Sequence, residues 1–313
     1  MVQTMRNRSA GLVLLSFVLA GSACSHKPKL AFALVQKYTT TAGDLFYFRP
    51  RDGQFVLLER RKALAVAVAP EPDIDAYSFD DGITVTRPEG SERYNRPFVQ
   101  KVGPQQTLAI TPDGRILAGG DVKGAVTLWE IASGNVTLHL DMPSAILSLA
   151  FSHDGNWLAI GLAKPAGEPA DTVWLYEIHA NGPHRSYGRT AVQALAWSQD
   201  GRWLAAGLDD GSVLLSEAAG GEPRRIVLST SPVTSLDFHP SGQFLASAHA
   251  DKRVLLSKLP TGEQLFTFEP ALPPNSLFPR VIERVAFDGN GTRLAAAYAE
   301  GDFRIWDTSA LAQ

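Results

Sequence analysis

The chain has 313 residues, a formal charge of −3, 45% hydrophobic and 19% charged residues. That balance excludes a disordered polyelectrolyte and lacks the basic excess of a nucleic-acid binder; the length suffices for one large core or two ordinary ones. The single cysteine, Cys24, excludes an internal disulfide and a cysteine-built zinc site.

At the N-terminus, Arg6 and Arg8 precede an uncharged stretch from Ser9 to Ser25. Its apolar centre, residues 10–20, falls well short of the roughly 20 residues a membrane-spanning helix needs. With Gly21, Ser22 and Ala23 behind it, the segment matches a secretory signal peptide. The stretch from Leu19 to Cys24 resembles a bacterial lipoprotein signal, in which the cysteine thiol is lipidated and becomes the new N-terminus. Gly21 departs from that pattern, which usually has leucine there. Cleavage after Ala23 by an ordinary signal peptidase is the alternative, and a buried helix a third reading. The expected organisation is a removed signal over residues 1–23, a short tether over 24–29 and one domain over 30–313. Ser25 rather than Asp after the cysteine implies, through the same resemblance, the periplasmic side of the outer membrane. A soluble periplasmic or secreted protein is the alternative.

Short apolar runs separated by polar turns fill the remainder. Residues 43–58 match residues 124–139 in length, so they read as the last two strands of an incomplete unit. Residues 63–69 form a first strand, Pro70 to Asp73 a turn, and residues 76–85 parallel residues 206–213. Five segments then align closely: 107–120, 149–161, 195–207, 236–248 and 285–297. Their turn glycines, Gly114, Gly155, Gly201, Gly242 and Gly291, are spaced 41, 46, 41 and 49 residues apart. A third run follows each, over 125–129, 172–176, 212–216, 253–257 and 303–306, and a weaker fourth closes the unit, as at 135–140. Four short strands in about 40 residues make a propeller blade, which cannot cover both its faces alone and must stack. The expected fold is all-β, a β-propeller of four-stranded antiparallel blades. Seven blades are expected, the first incomplete; six, with the N-terminal strands packed outside, is the alternative. The last repeat runs out after 303–306, so an N-terminal strand is expected to pair there and cover the edge.

These units resemble the WD-repeat propeller family. The residues that carry the likeness are Phe151, Ser152, Asp154 and Gly155 at the turn, with Trp129, Tyr176, Trp306 and Asp307 on the third strands. The Gly-His pair that opens such repeats is missing, and Ser216 and Ser257 stand where tryptophan is usual. The family's buried Asp-His-Ser-Trp network is therefore complete in no blade, and the chain reads as a degenerate bacterial version.

No catalytic, cofactor-binding or metal-binding constellation is recognised. The histidines are scattered; His153 and His239 sit at strand turns and are read as structural. Asp121, Asp171, Asp209, Asp210, Asp251 and Asp302 recur near the second turn, where carboxylates ordinarily bond the turn itself. A cation-binding carboxylate ring is the sharper alternative. Gly119 and Gly120, like Gly220 and Gly221, are read as turn or strand glycines, not a phosphate cradle.

Two insertions break the period, at 164–170 and 270–280, and the repeat register puts both on one rim. The second presents Leu272, Leu277 and Phe278 among prolines, which lowers the entropy lost on binding. With Lys164, Arg189, Arg280 and Glu283 these form the expected partner-binding surface; a linker folded against its own blade is the alternative. The functional expectation is a non-catalytic, lipid-anchored scaffold that binds a protein partner in the cell envelope. It needs no cofactor, binds no nucleic acid and is monomeric. A propeller enzyme or small-ligand binder using the central channel is the alternative.

Overall fold

The computed structural model describes residues 34–38, 44–51, 54–61, 65–69, 74–80, 82–86, 98–100, 103–165, 170–179, 182–218, 220–268, 281–298 and 303–312. Strand β1 (Leu34–Tyr38) is followed by a hairpin, β2 (Asp44–Arg51) and β3 (Gln54–Arg61), paired along eight residues. Six four-stranded antiparallel sheets come next. The first is β4 (Ala65–Ala69), β5 (Ile74–Phe79), β6 (Gly82–Thr86) and β7 (Phe98–Gln100); the second is β8 (Thr107–Ile110), β9 (Ile116–Gly120), β10 (Ala125–Glu130) and β11 (Val136–Asp141). The third comprises β12 (Ile146–Phe151), β13 (Trp157–Leu162), β14 (Val173–Glu177) and β15 (Gly182–Tyr187). The fourth is β16 (Val192–Trp197), β17 (Trp203–Leu208), β18 (Ser212–Glu217) and β19 (Arg224–Val227); the fifth is β20 (Val233–Phe238), β21 (Phe244–His249), β22 (Val254–Lys258) and β23 (Glu263–Phe268). In the sixth, β24 (Ile282–Phe287), β25 (Arg293–Tyr298) and β26 (Phe303–Asp307) are joined by β1, which pairs antiparallel with β26.

This is the expected propeller architecture, with six four-stranded blades and one two-stranded blade among the described residues. The N-terminal strand completes the last blade as the sequence requires. One detail differs. Every inner strand from β8 onward touches the first two strands of the blade before it, and β2 touches β24 and β25 in the same way. The hairpin therefore stands as the first and second strands of its blade, not the third and fourth. Equal run lengths cannot distinguish these placements, because each blade contains two hairpins of similar length.

The first turns of the second, third and fourth blades are built from the same few atoms. Thr111, Ser152 and Ser198 each donate a hydroxyl to an aspartate two residues on, Asp113, Asp154 and Asp200, at 2.7, 2.5 and 2.5 Å. Each hydroxyl oxygen also accepts the backbone N–H five residues on, at 3.0, 3.0 and 2.8 Å. The glycine after the aspartate takes φ near +70°, as at Gly114 and Gly201, where any other residue would be strained. These bonds hold Asp154 and Asp200 below the usual carboxylate range: at Asp200 the Ser198 hydroxyl is the largest influence, and at Asp154 desolvation is outweighed by the bonds from Ser152 and Asn156.

Blades pack through apolar faces. One cluster joins Ala159, Val173, Leu175 and Tyr187 to Val192, Leu204, Ala206, Leu208 and Leu214 across the third and fourth blades. Where the second strand ends, glycine lets the blades close up. A Cβ on Gly161 would meet Val192 at 2.7 Å, and one on Gly207 would meet Val233 at 2.4 Å.

Candidate functional site

The inner strands surround a channel containing a cavity of about 450 Å³. A β-bulge recurs at one position in four of them: between Ile146 and Ser148, Val192 and Ala194, Val233 and Ser235, and Ile282 and Arg284. A bulge inserts one residue and re-aims its side chain. The inserted residues Leu147, Gln193, Thr234 and Glu283 all line the channel, and Gln106 holds the corresponding place before β8. One backbone device thus presents four different side chains around a single opening.

Much of this lining is engaged locally. Thr234 Oγ1 donates to the Ile282 carbonyl at 2.7 Å, Ser235 Oγ accepts the Val285 N–H at 3.1 Å, and Gln193 Nε2 donates to Asp209 at 3.3 Å. Deeper along β20, Asp237 accepts the Phe287 N–H at 2.6 Å. Burial pushes the Asp237 carboxyl up to about 6, against the opposing pull of that N–H and of Arg284. Glu283 opens into the channel, and desolvation among the inner strands raises its carboxyl as well.

The bulges lie at the end of the inner strands where the blade-to-blade loops arrive. The second turns reach the same rim. Ala163 N–H donates to the Ala145 carbonyl, Asp209 N–H to Ala191 and Ala250 N–H to Pro232. Lys164 is exposed there. Arg189 lies 3.5 Å from Asp171, whose carboxylate also accepts the Ser186 hydroxyl. Glu283 turns into the channel from its bulge. Cys24, Leu272, Leu277, Phe278 and Arg280 lie outside the described residues.

Three of the recurring aspartates are occupied by their turns, and Asp302 lies outside the described residues. Asp121 accepts the N–H groups of Lys123 and Ala125, Asp210 those of Ser212 and Arg225, and Asp251 those of Arg253. Among the described residues no group of three or more His, Cys, Asp or Glu side chains has a metal-binding arrangement. His239 is wedged edge-on against Phe244 and Phe287. Its Nδ1 accepts the Ser241 N–H and its Nε2 donates to the Gly291 carbonyl, so the ring is neutral, and burial lowers its pKa. His153 is exposed at its turn.

The fifth blade carries a short buried side-chain network of its own. Ser247 Oγ bonds His249 Nε2, and His249 Nδ1 donates to the Ser231 carbonyl, both at 3.0 Å. Beside it Ser257 replaces the aromatic, and its hydroxyl is buried without a hydrogen-bond partner. In the fourth blade the gap left by Ser216 is taken by Tyr187 from the blade before, whose hydroxyl lies 2.6 Å from Ser216 Oγ. The bulges and this exchange were not anticipated from sequence, because both depend on which residues of different repeats face each other.

Residues 182–215 and 222–256 match the repeat described as "WD domain, G-beta repeat". Each match begins on the outer strand of one blade and runs into the next, from β15 to β18 and from β19 to β22. The chain is 35% identical over 71 residues to "Small ribosomal subunit protein RACK1" of Medicago sativa, covering 23% of this chain and 20% of that protein. It is 28% identical over 98 residues to "Protein groucho" of Drosophila melanogaster, covering 31% and 13% respectively. Similarity to "Eukaryotic translation initiation factor 3 subunit I" of Phaeosphaeria nodorum is 23% over 189 residues, covering 60% and 47%. The matched stretch is thus about one fifth of the RACK1 protein's own length. These matches establish WD repeats in the fourth and fifth blades and agree with the propeller fold.

Proposed function

We propose that this protein is a non-catalytic interaction scaffold that presents the loop-bearing rim of its propeller to a protein partner. The observation that carries the reading is the ring of bulges. It holds the backbone constant while Leu147, Gln193, Thr234 and Glu283 differ, at the end of the inner strands where the blade-to-blade loops arrive. A rigid scaffold with varied side chains and long loops at one end is how binding specificity is usually carried. Two of the similar proteins are named as components of larger assemblies, a ribosomal subunit and an initiation factor.

The reading includes export, with Cys24 as a lipid anchor holding the propeller at the periplasmic side of the outer membrane, and an envelope protein as the partner. Its support is the charge pattern of residues 1–25 and the position of the single cysteine. The partner surface combines Lys164, Arg189 and Glu283 with Leu272, Leu277, Phe278 and Arg280. No cofactor takes part, and the scaffold acts as a monomer.

The test is affinity capture from membranes with the intact protein, with a variant lacking residues 270–279 and with Cys24→Ser. The deletion is expected to fold and to lose its envelope partner, and Cys24→Ser to leave the membrane fraction. Equal capture by the deletion variant would remove that rim from the reading; unchanged membrane association of Cys24→Ser would remove the anchor. A second reading, a small ligand in the channel, draws on the cavity and on Glu283. Saturable small-molecule binding abolished by Glu283→Gln, with no protein captured, would favour it.

A further inference from the structure

Away from the channel, the junction between the second and third blades holds a second concavity, of about 200 Å³. Leu140, Met142 and Pro143 line it from the second blade's outer edge, and Ile160 and Trp174 from the third blade. Asp141 supplies its one charged side chain, 90% exposed at the lip.

Comparison with the other junctions shows what this slot lacks. Strand pairing places Leu140, Tyr187, Ile226 and Phe268 at one position on successive outer strands. Each lies at the boundary with the next blade. Tyr187 reaches Ser216 in this way, and Phe268 lies tilted against Trp306 with the ring centroids 4.8 Å apart. The position of Trp174 is occupied in the later blades by Leu214, Leu255 and Arg304, which are 8%, 1% and 5% exposed. Trp174 is larger, and the shorter Leu140 leaves it only partly covered. Its indole N–H is already bonded to the Asp171 carbonyl at 3.0 Å, so the open ring is an apolar surface of fixed orientation.

The slot also belongs to the loop-bearing rim. Ser144 Oγ donates to the Ala163 carbonyl at 2.6 Å, and Ala163 N–H donates to the Ala145 carbonyl. The loop from Met142 is thereby tied to the residue preceding Lys164.

We propose that this slot takes one aromatic or large aliphatic side chain from an extended segment of the protein partner, with a basic residue beside it meeting Asp141. The inference rests on the scaffold reading and gives it a specific anchor. The chemistry follows from the lining: an apolar hole the size of one side chain, with a partly exposed tryptophan as one wall and a solvated carboxylate at the lip. A tryptophan at a packed contact is a common centre of binding energy, and a rim carboxylate selects the sign of what approaches.

The test uses the full chain with 15N-labelled indoles and three acetylated, amidated peptides, Gly-Phe-Arg-Gly, Gly-Ala-Arg-Gly and Gly-Phe-Glu-Gly. The Trp174 signal, assigned with Trp174→Phe, is expected to shift with the first peptide. The alanine and glutamate peptides should bind at least five-fold more weakly. Asp141→Lys, a change at a solvated lip that leaves the fold intact by thermal melting, should remove the preference for arginine over glutamate. An unmoved Trp174 signal, equal response to all three peptides, or unchanged charge preference in Asp141→Lys would overturn the proposal. So would concentration-dependent self-association lost in Trp174→Phe, because a second copy would then be the occupant. If these peptides fail while removal of residues 270–279 still abolishes partner capture, the slot is wrong and the scaffold reading stands. If capture is also unaffected, both fall.

Discussion

Tyr187 and Ser216 show how a degenerate repeat keeps its packing. Loss of the third-strand tryptophan at Ser216 would leave a void, and the preceding blade fills it with an aromatic ring and a shared hydrogen bond of 2.6 Å. Burial raises the Tyr187 phenol, with the Ser216 bond and Arg185 pulling the other way. Replacing Tyr187 with Phe should cost about 1 kcal/mol, the usual consequence of leaving a buried hydroxyl without its partner. The double variant Tyr187→Phe with Ser216→Ala should recover part of that loss. Urea melts of the three variants measure it; additive losses would mean that the two hydroxyls do not act together. Lys252 offers the opposite case. It takes φ 74° at the second turn, where the matching residues are Gly124 and Gly211. Lys252→Gly should stabilise the protein by about 0.5–1 kcal/mol, since relief of strain outweighs the added freedom of the unfolded chain. A lower melting temperature for that variant would contradict this account.

At the scale of elements, β20 and β24 are joined by side chains bonding the neighbouring backbone. Thr234, Ser235 and Asp237 of one strand reach Ile282, Val285 and Phe287 of the other. Asp237 carries a pH signature. Its folded pKa, raised by burial to about 6 from 3.8, means that the native state holds a proton the unfolded chain has lost between those values. Its contribution to stability is full below about pH 4 and falls as pH rises through 6. Asp237→Asn, which keeps an acceptor for the Phe287 N–H, should therefore stabilise the protein at pH 8 by about 1–3 kcal/mol and have little effect at pH 4. Melting temperatures at the two pH values check it, and an equal shift at both would exclude the assignment. His239 and His249 work in the other direction. Both are lowered by burial, so what they contribute is full above their unfolded value near 6.5 and is lost as pH falls.

For the whole molecule, closure rests on β1, which covers the open side of β26 with strand pairing from Leu34 to Tyr38. Removing residues 34–38 should leave β26 as an unpaired edge, lower the melting temperature by several degrees and cause association at micromolar concentration. Sedimentation and thermal melting together test it; a monomer of unchanged stability would show that β1 is dispensable.

The sequence by itself determined the strand content, the repeat length, the four-strand blade and the strand exchange that completes the last blade. It could do so because alternation, turn chemistry and glycine placement are local and recur five times. It also assigned His239 to structure, which follows from its place at the strand turn. What only the tertiary structure decided was which residues of different blades meet. Leu147, Gln193, Thr234 and Glu283 share a bulge that no spacing announces, because a bulge is an irregularity of pairing between two strands. Trp174 read as an ordinary strand aromatic. It became the wall of an open slot only because its neighbour across the blade boundary is Leu140, and that contact depends on how two blades stack, not on either repeat alone.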